Sequence, residues 1–149
     1  MPPDNQTETV MRAWARLLRA HDQVFAAVEG DLKQQGFPPI AWYDVLLELA
    51  REGGREMRPK EIESELLIAQ YNLSRLLDRL EVKGLIERKE YEGDARGQLI
   101  ALTPKGRALQ KEMWPAYREA VKKQLNALTK RQIEDLSKLL GLLIRKEGG

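Results

Sequence analysis

Residues 70–79 carry a dense set of side chains able to read the edges of nucleic-acid bases: Gln70, Tyr71, Asn72, Ser74, Arg75 and Arg79. Arginine bonds guanine through two donors and asparagine bonds adenine through a donor and an acceptor, so Asn72 and Arg75 have the right groups for major-groove recognition. Gln70 and Arg79 can reach either bases or phosphates, and residue type does not separate the two uses. The element that must present them is a helix. Leu73, Leu76, Leu77 and Leu80 fall at i, i+3, i+4 and i+7 and form one apolar stripe. At about 100° per residue, Tyr71, Ser74, Arg75, Asp78 and Arg79 then lie on the opposite, polar face. Taken alone, such a face is most simply a solvated one.

The neighbouring residues change that reading. Gly84, following Lys83, is a helix C-cap signal just past the stripe. Residues 85–91 (LIERKEY) and 98–102 (QLIAL) are short, partly alternating runs separated by the Gly-containing charged residues 92–97. Two such runs around a turn-rich loop predict a β-hairpin with a projecting tip. Residues 57–103 therefore read as a short helix, a turn, a second helix and a hairpin, which is a winged helix-turn-helix. A recognition helix coupled to a wing presents its first residues to the major groove.

This stretch resembles the MarR family of bacterial transcriptional regulators. The pattern is carried by Arg75-Leu76-Leu77-Asp78-Arg79-Leu80-Glu81-Val82-Lys83-Gly84-Leu85-Ile86-Glu87-Arg88, then Asp94-Ala95-Arg96, then Leu102-Thr103-Pro104-Lys105-Gly106. Three positions depart from it, the first being Leu67, which stands where the family often has a glycine. Ala69 stands where the family often has a serine, which removes a side-chain cap worth roughly 1 kcal/mol. Arg58 replaces the serine or threonine often found before the first helix of the motif. The resemblance implies that Arg96 enters the minor groove with Asp94 orienting it, a shape-dependent contact, whereas Asp94 and Arg96 alone read as an exposed salt bridge of little energetic weight. Arg88 and Lys89 join the expected DNA-binding set from the hairpin.

Composition limits the alternatives. With 149 residues the chain can bury a real core, and with no cysteine it has no disulfide framework, thiolate metal site or thiol switch. No apolar run approaches the length of a membrane span and residues 1–5 lack a signal-peptide pattern, so a cytoplasmic protein without membrane partners is expected. The net charge of +2 is no nucleic-acid signature. Residues 55–103 carry 9 basic and 10 acidic side chains, whereas residues 104–149 carry 11 and 5. A DNA-binding reading must therefore rest on where the charges sit.

Before the motif, Val10, Met11, Trp14, Leu17, Leu18, His21, Phe25, Val28 and Leu32 keep helical spacing as far as about Lys33. Gly36 ends that helix, Pro38 and Pro39 are placed to open the next, and residues 40–50 are apolar almost all round, as a helix buried on most sides would be. After the hairpin, Thr103 is an N-cap with Pro104 at the first helical position. The helix that follows contains Pro115, a residue expected to bend it. Thr129-Lys130-Arg131-Gln132 is a capping-box pattern that opens a last helix with Ile133, Leu136, Leu140, Leu143 and Ile144 on one face. The terminal helices hold more apolar surface than a winged lobe can cover, so they are expected to pack on each other and on a second copy. The resembled family likewise forms its dimer lobe from them.

The resulting fold class is mainly α: one domain over residues 1–149, with a winged helix-turn-helix lobe at 38–103, a small β-hairpin wing, and dimerisation helices at 8–36 and 104–146. His21 is the only histidine, so no histidine or thiolate metal cluster can form. Beside Trp14 and Phe25 it reads first as a packed interior residue and second as a polar group in an effector pocket. Trp14, Trp42 and Tyr43 are likewise core residues first and ligand-stacking candidates second. No nucleophile–base signature and no Gly-rich phosphate loop is present, so neither catalysis nor a cofactor is expected. The expected function is a homodimeric regulator, by family resemblance a repressor, on a palindromic double-stranded DNA operator, relieved by a small aromatic or phenolic ligand. The competing reading is a winged-helix protein-interaction module without specific DNA binding.

Overall fold

The computed structural model describes residues 5–68, 72–90 and 98–144. In chain order these form α1 (Asn5–Gln34), α2 (Ile40–Ala50), α3 (Pro59–Glu65), α4 (Leu73–Val82), β1 (Ile86–Glu90), β2 (Gln98–Leu102), α5 (Pro104–Leu125) and α6 (Lys130–Leu143). This is the expected sequence of four helices, a hairpin and two helices. Two compact units are distinguished, residues 29–117 and residues 1–28 with 118–149, so α1 and α5 each contribute to both.

The unit of residues 29–117 holds the winged helix-turn-helix. Its core joins Val45, Leu46 and Leu49 of α2 to Ile62 of α3, Leu76, Leu77 and Leu80 of α4, and Leu85, Ile86 and Ile100 of the hairpin region. Each such side chain withdrawn from water contributes about 1.5–3 kcal/mol, which is what holds the short helices α3 and α4 in place. The strands pair antiparallel, Ile86 opposite Leu102 and Arg88 opposite Ile100. Met57 adds a one-residue bridge: its amide donates to the Ile100 carbonyl at 3.0 Å and receives the Ile100 amide on its own carbonyl at 2.7 Å.

Helix α2 is buried on most sides, as its composition predicts, but it also buries two acids, Asp44 and Glu48. Glu48 accepts from Arg51 Nε at 3.0 Å and from an Arg55 terminal nitrogen at 2.9 Å, while Arg55 Nε donates to the Glu48 carbonyl at 2.9 Å. The 3₁₀ turn Arg51–Gly53 after α2 is thereby tied back to the helix. Pro39 sits at the N-cap, one residue ahead of the helix it opens.

In the other unit, α6 begins at the predicted capping box. The Gln132 amide donates to Thr129 Oγ1 at 3.2 Å and the Thr129 amide to Gln132 Oε1 at 2.9 Å. Val10, Ala13, Trp14, Leu17, His21 and Val24 of α1 line a groove of about 750 Å³ with Leu136, Leu140 and Leu143 of α6. The interior placement first expected for Trp14 and His21 is corrected here. Trp14 is 54% exposed and the His21 side chain 70% exposed, with its ring stacked on Phe25 at 5.9 Å. Within one chain, α6 does not cover the whole apolar face of α1. α5 continues as one helix through Pro115.

Candidate nucleic-acid interface

The reading helix α4 is held from behind and from its C-terminal end. Leu76, Leu77 and Leu80 are buried, while Ser74, Arg75, Asp78 and Arg79 are exposed, as the stripe predicts. The helix closes on a Schellman cap, with the Gly84 amide bonded to the Glu81 carbonyl at 2.9 Å and the Leu85 amide to the Leu80 carbonyl at 2.9 Å. Gly84 has φ +73°, a backbone conformation that costs an L-residue about 1–2 kcal/mol. The next helix then staples this end. Thr103 donates from Oγ1 to the Gly84 carbonyl at 2.6 Å and receives the Gly106 amide at 3.0 Å, and Lys105 Nζ donates to the Lys83 carbonyl at 2.8 Å. A cation at the last carbonyls of α4 also suits the negative end of its dipole.

At the other end, Asn72 occupies the N-cap, φ −136° and ψ 59°, and makes no side-chain capping bond. It therefore precedes the helix instead of lying on its face. Gln70 and Tyr71 fall outside the described residues, as do Ala69 and the wing residues Asp94 and Arg96. Pro39, Ala41 and Trp42 at the start of α2 face Asn72, Arg75, Leu76 and Arg79 across a notch of about 250 Å³. Among the described residues neither Arg75 nor Arg79 has an ion-pair partner, so both present free donors there.

The two hairpin cations sit differently. A terminal nitrogen of Arg88 donates to Asp78 Oδ1 at 2.7 Å and the other lies 3.6 Å from Glu81 Oε1, so β1 is joined to the exposed edge of α4. Arg88 Nε is buried with no partner among the described residues. Lys89 Nζ donates to Glu56 Oε1 at 2.9 Å and lies 3.7 Å from Glu87. That pairing, ahead of the neighbouring charges, raises the Lys89 pKa above its ordinary value.

The effector candidates divide between the two units. Trp14 and His21 share the α1–α6 groove of their unit. Trp42 lines the notch beside α4 and a second hollow with Phe37, Lys83 and Lys105. Tyr43 lines none of these; it is 1% exposed, its ring 4.9 Å from that of Tyr117 and its hydroxyl receiving Gln110 Nε2 at 3.4 Å. Reasoning from sequence also missed Asp44 and Glu48, although two acids four residues apart in an otherwise apolar helix were a visible signal.

The helix-turn-helix, the bridged hairpin and the outward arginines of α4 define a winged-helix protein. Residues 35–97 match the profile described as MarR family. The chain is 31% identical over 120 residues to the transcriptional repressor MprA of Escherichia coli strain K12, across 78% of this chain and 68% of that protein. It is 30% identical over 134 residues to the HTH-type transcriptional regulator PecS of Dickeya dadantii strain 3937, across 89% of this chain and 76% of that one. The fold matches Sco3205, a MarR family transcriptional regulator from Streptomyces coelicolor solved in complex with DNA. That match has a TM-score of 0.82 at 24% identity and covers 96% of this chain and 89% of Sco3205. The chain belongs to the MarR family of transcriptional regulators. No helix among the described residues is long and apolar enough to cross a membrane.

Proposed function

We propose that this protein is a homodimeric repressor that binds a palindromic duplex operator through α4 and the wing, and that a small aromatic ligand releases it. The observation that carries the reading is the pair of exposed arginines on α4, Arg75 and Arg79, which have no ion-pair partner among the described residues, on a helix whose opposite face is buried and whose end is stapled. A rigid helix with free bidentate donors is what base recognition requires. The relative named a transcriptional repressor supports repression, and the DNA complex of a protein with the same fold supports duplex binding. Asp94 and Arg96 retain the minor-groove role that the family pattern implies, and Gln70 and Tyr71 retain their places in the reading segment.

Dimerisation is supported by the apolar side chains left open on α1 and α6, among them Val10, Met11, Leu139 and Leu143. Two-fold pairing would place half-sites about one DNA turn apart, roughly 10 base pairs centre to centre. Trp14 and His21 border the same apolar groove, which suits a flat aromatic ligand. Such a ligand acts only if it binds the DNA-incompetent arrangement more tightly, and operator DNA must then weaken ligand binding by the same factor.

Selection of bound duplexes from a random pool tests the reading. A recovered palindrome with that spacing is the expected result. Tryptophan fluorescence titrated with aromatic acids, with and without the recovered operator, tests the coupling, and equal affinities would refute it. The protein-interaction reading draws on the ion pairs that occupy Arg88 and Lys89. A mobility shift separates the two, because phosphate contacts weaken steeply with salt and an absent or salt-insensitive shift would favour the interaction module.

A further inference from the structure

Among the described residues Asp44 bonds to no candidate DNA contact, yet it grips the chain at Ile68, ahead of the reading helix. It is 4% exposed on α2, and the Ile68 amide donates to its Oδ2 at 3.0 Å. The Leu67 amide also bonds to this carboxylate. α3 ends at Glu65, and Leu66 turns to extended backbone, φ −66° and ψ 139°. The bonds from Leu67 and Ile68 therefore fall in the turn of the helix-turn-helix. Leu66 and Leu73, on either side of that turn, pack partly buried against the same core as α2. At Ile68, among the described residues, the backbone is held by the Asp44 carboxylate.

We propose that Asp44 is a positioning residue for DNA binding: its carboxylate fixes the turn between α3 and α4, and so the angle at which α4 presents Arg75 and Arg79. The proposal rests on the DNA-binding reading above. A carboxylate offers two acceptor oxygens to two successive amides, and bonds to an ionised acceptor are shorter and about twice as strong as neutral ones. Asparagine has the same shape but is neutral, so its oxygen accepts a weaker bond than the ionised carboxylate does.

The surroundings make the charge separable from the fold. Burial is the largest influence on Asp44 and raises its pKa above the ordinary 3.8, opposed by the Ile68 and Leu67 amides; Glu48 raises it further and Arg51 lowers it. The other facing groups are Tyr117 of α5, which feels the Asp44 charge, and Glu65 of α3, which acts on Arg51. Glu48 is itself held by Arg51 and Arg55. A carboxyl whose folded pKa exceeds its unfolded value contributes stability that is fully present below the unfolded value and lost as pH rises through the folded one. At neutral pH, ionised Asp44 thus costs stability while serving the turn. A purely structural residue would lose stability and DNA affinity together on substitution; a positioning residue separates them.

The experiment compares wild type and Asp44→Asn, as full chains, in thermal unfolding and in affinity for a selected duplex at fixed salt. The expected result is an unchanged or raised Tm with affinity reduced about tenfold or more. From neutral pH downward, the wild-type Leu67 and Ile68 amide resonances should follow one carboxyl titration centred above 3.8. Wild-type DNA affinity should change with the same midpoint, a component absent from Asp44→Asn. Equal affinity of the two proteins, or a Tm that falls in step with affinity, overturns the proposal. Should Asp44→Asn not fold, the wild-type titration decides: coincident amide and affinity midpoints support the proposal and non-coincident ones overturn it. A wild type that recovers no duplex overturns the DNA-binding reading and the proposal with it, whereas failure of Asp44 alone leaves wild-type binding intact.

Discussion

Gly106 marks the closest approach in the winged unit, and replacing it with alanine should be the most damaging single-methyl change there. A Cβ at this position would lie 2.1 Å from the Leu85 carbonyl oxygen, 2.7 Å from Leu102 Cδ1 and 3.0 Å from the Leu85 carbonyl carbon. Ordinary carbon–oxygen contacts sit near 3.3 Å or beyond, so something must move by roughly 1 Å. The flexible Leu102 tip can yield, but the Leu85 carbonyl cannot do so freely. It accepts the Thr103 amide at 3.1 Å, and the Leu85 amide closes the α4 cap on Leu80. Overpacking of this kind costs about 1–3 kcal/mol, and loosening one backbone bond adds about 1 kcal/mol, so a loss of about 2–4 kcal/mol is expected for Gly106→Ala. For a chain of this size that lowers Tm by roughly 10 °C, read by circular dichroism at fixed protein concentration because subunit association would shift the midpoint. Gly84→Ala is the control for conformation: its Cβ meets only Lys105 Cδ at 3.8 Å, so its loss of about 1–2 kcal/mol reflects the positive φ alone. Gly30→Ala, inside α1 with nothing within 4 Å, should gain up to about 1 kcal/mol. A Gly106→Ala protein within about 1 kcal/mol of wild type would refute the close approach of α5 to the α4–β1 junction.

Three further outcomes follow from particular contacts. Arg75→Ala should cost about 1–3 kcal/mol on the best duplex and flatten base preference at one position. Arg88→Ala, which removes the half-buried tie to Asp78 and Glu81, should weaken all duplexes alike; competition against single-base variants of the operator separates the two. Thr129→Ala removes the side-chain half of the α6 capping box, the Oγ1 that accepts the Gln132 amide, while the residue 129 amide keeps its bond to Gln132 Oε1, and should cost about 1 kcal/mol in denaturant unfolding. Leu139→Asp places a charge on the open apolar face of α6, and light scattering at micromolar concentration should then give a mass near 17.1 kDa, in contrast to twice that for wild type.

What could be read from sequence had local causes. The leucines of α4 declare their helix because spacing alone puts Leu76, Leu77 and Leu80 on one buried side, and Gly84, Thr103 and Thr129 act within a few residues of where they stand. The contacts that escaped are set by tertiary approach. Asp44 meets an amide 24 residues on, Glu48 a guanidinium 7 residues on, and Lys89 a carboxylate 33 residues back. Periodicity also tells which face of α1 is apolar without telling how much of it α6 covers, so it cannot separate an interior Trp14 and His21 from the exposed ones found. Trp42 and Tyr43 are adjacent in sequence, but helical geometry turns one toward the notch at α4 and the other into the core.

The near-neutral balance of residues 55–103 counts against DNA binding only if every charge is equally available, and the contacts argue otherwise. Asp78 and Glu81 are engaged with Arg88, and Glu56 and Glu87 with Lys89. The Glu61 side chain accepts the Arg58 amide at 3.0 Å and so caps α3. These acids are spent on cations and amides that shape the lobe, and the cations they engage are those of β1. Arg75 and Arg79 on α4 are left without an acid partner among the described residues. Exposed ion pairs of this kind contribute little stability each, about 0–1 kcal/mol, so their larger effect is on where positive potential remains. A lobe can thus be balanced in total and still offer a cationic reading face, because neutralisation is local and leaves Arg75 and Arg79 of α4 unpaired among the described residues.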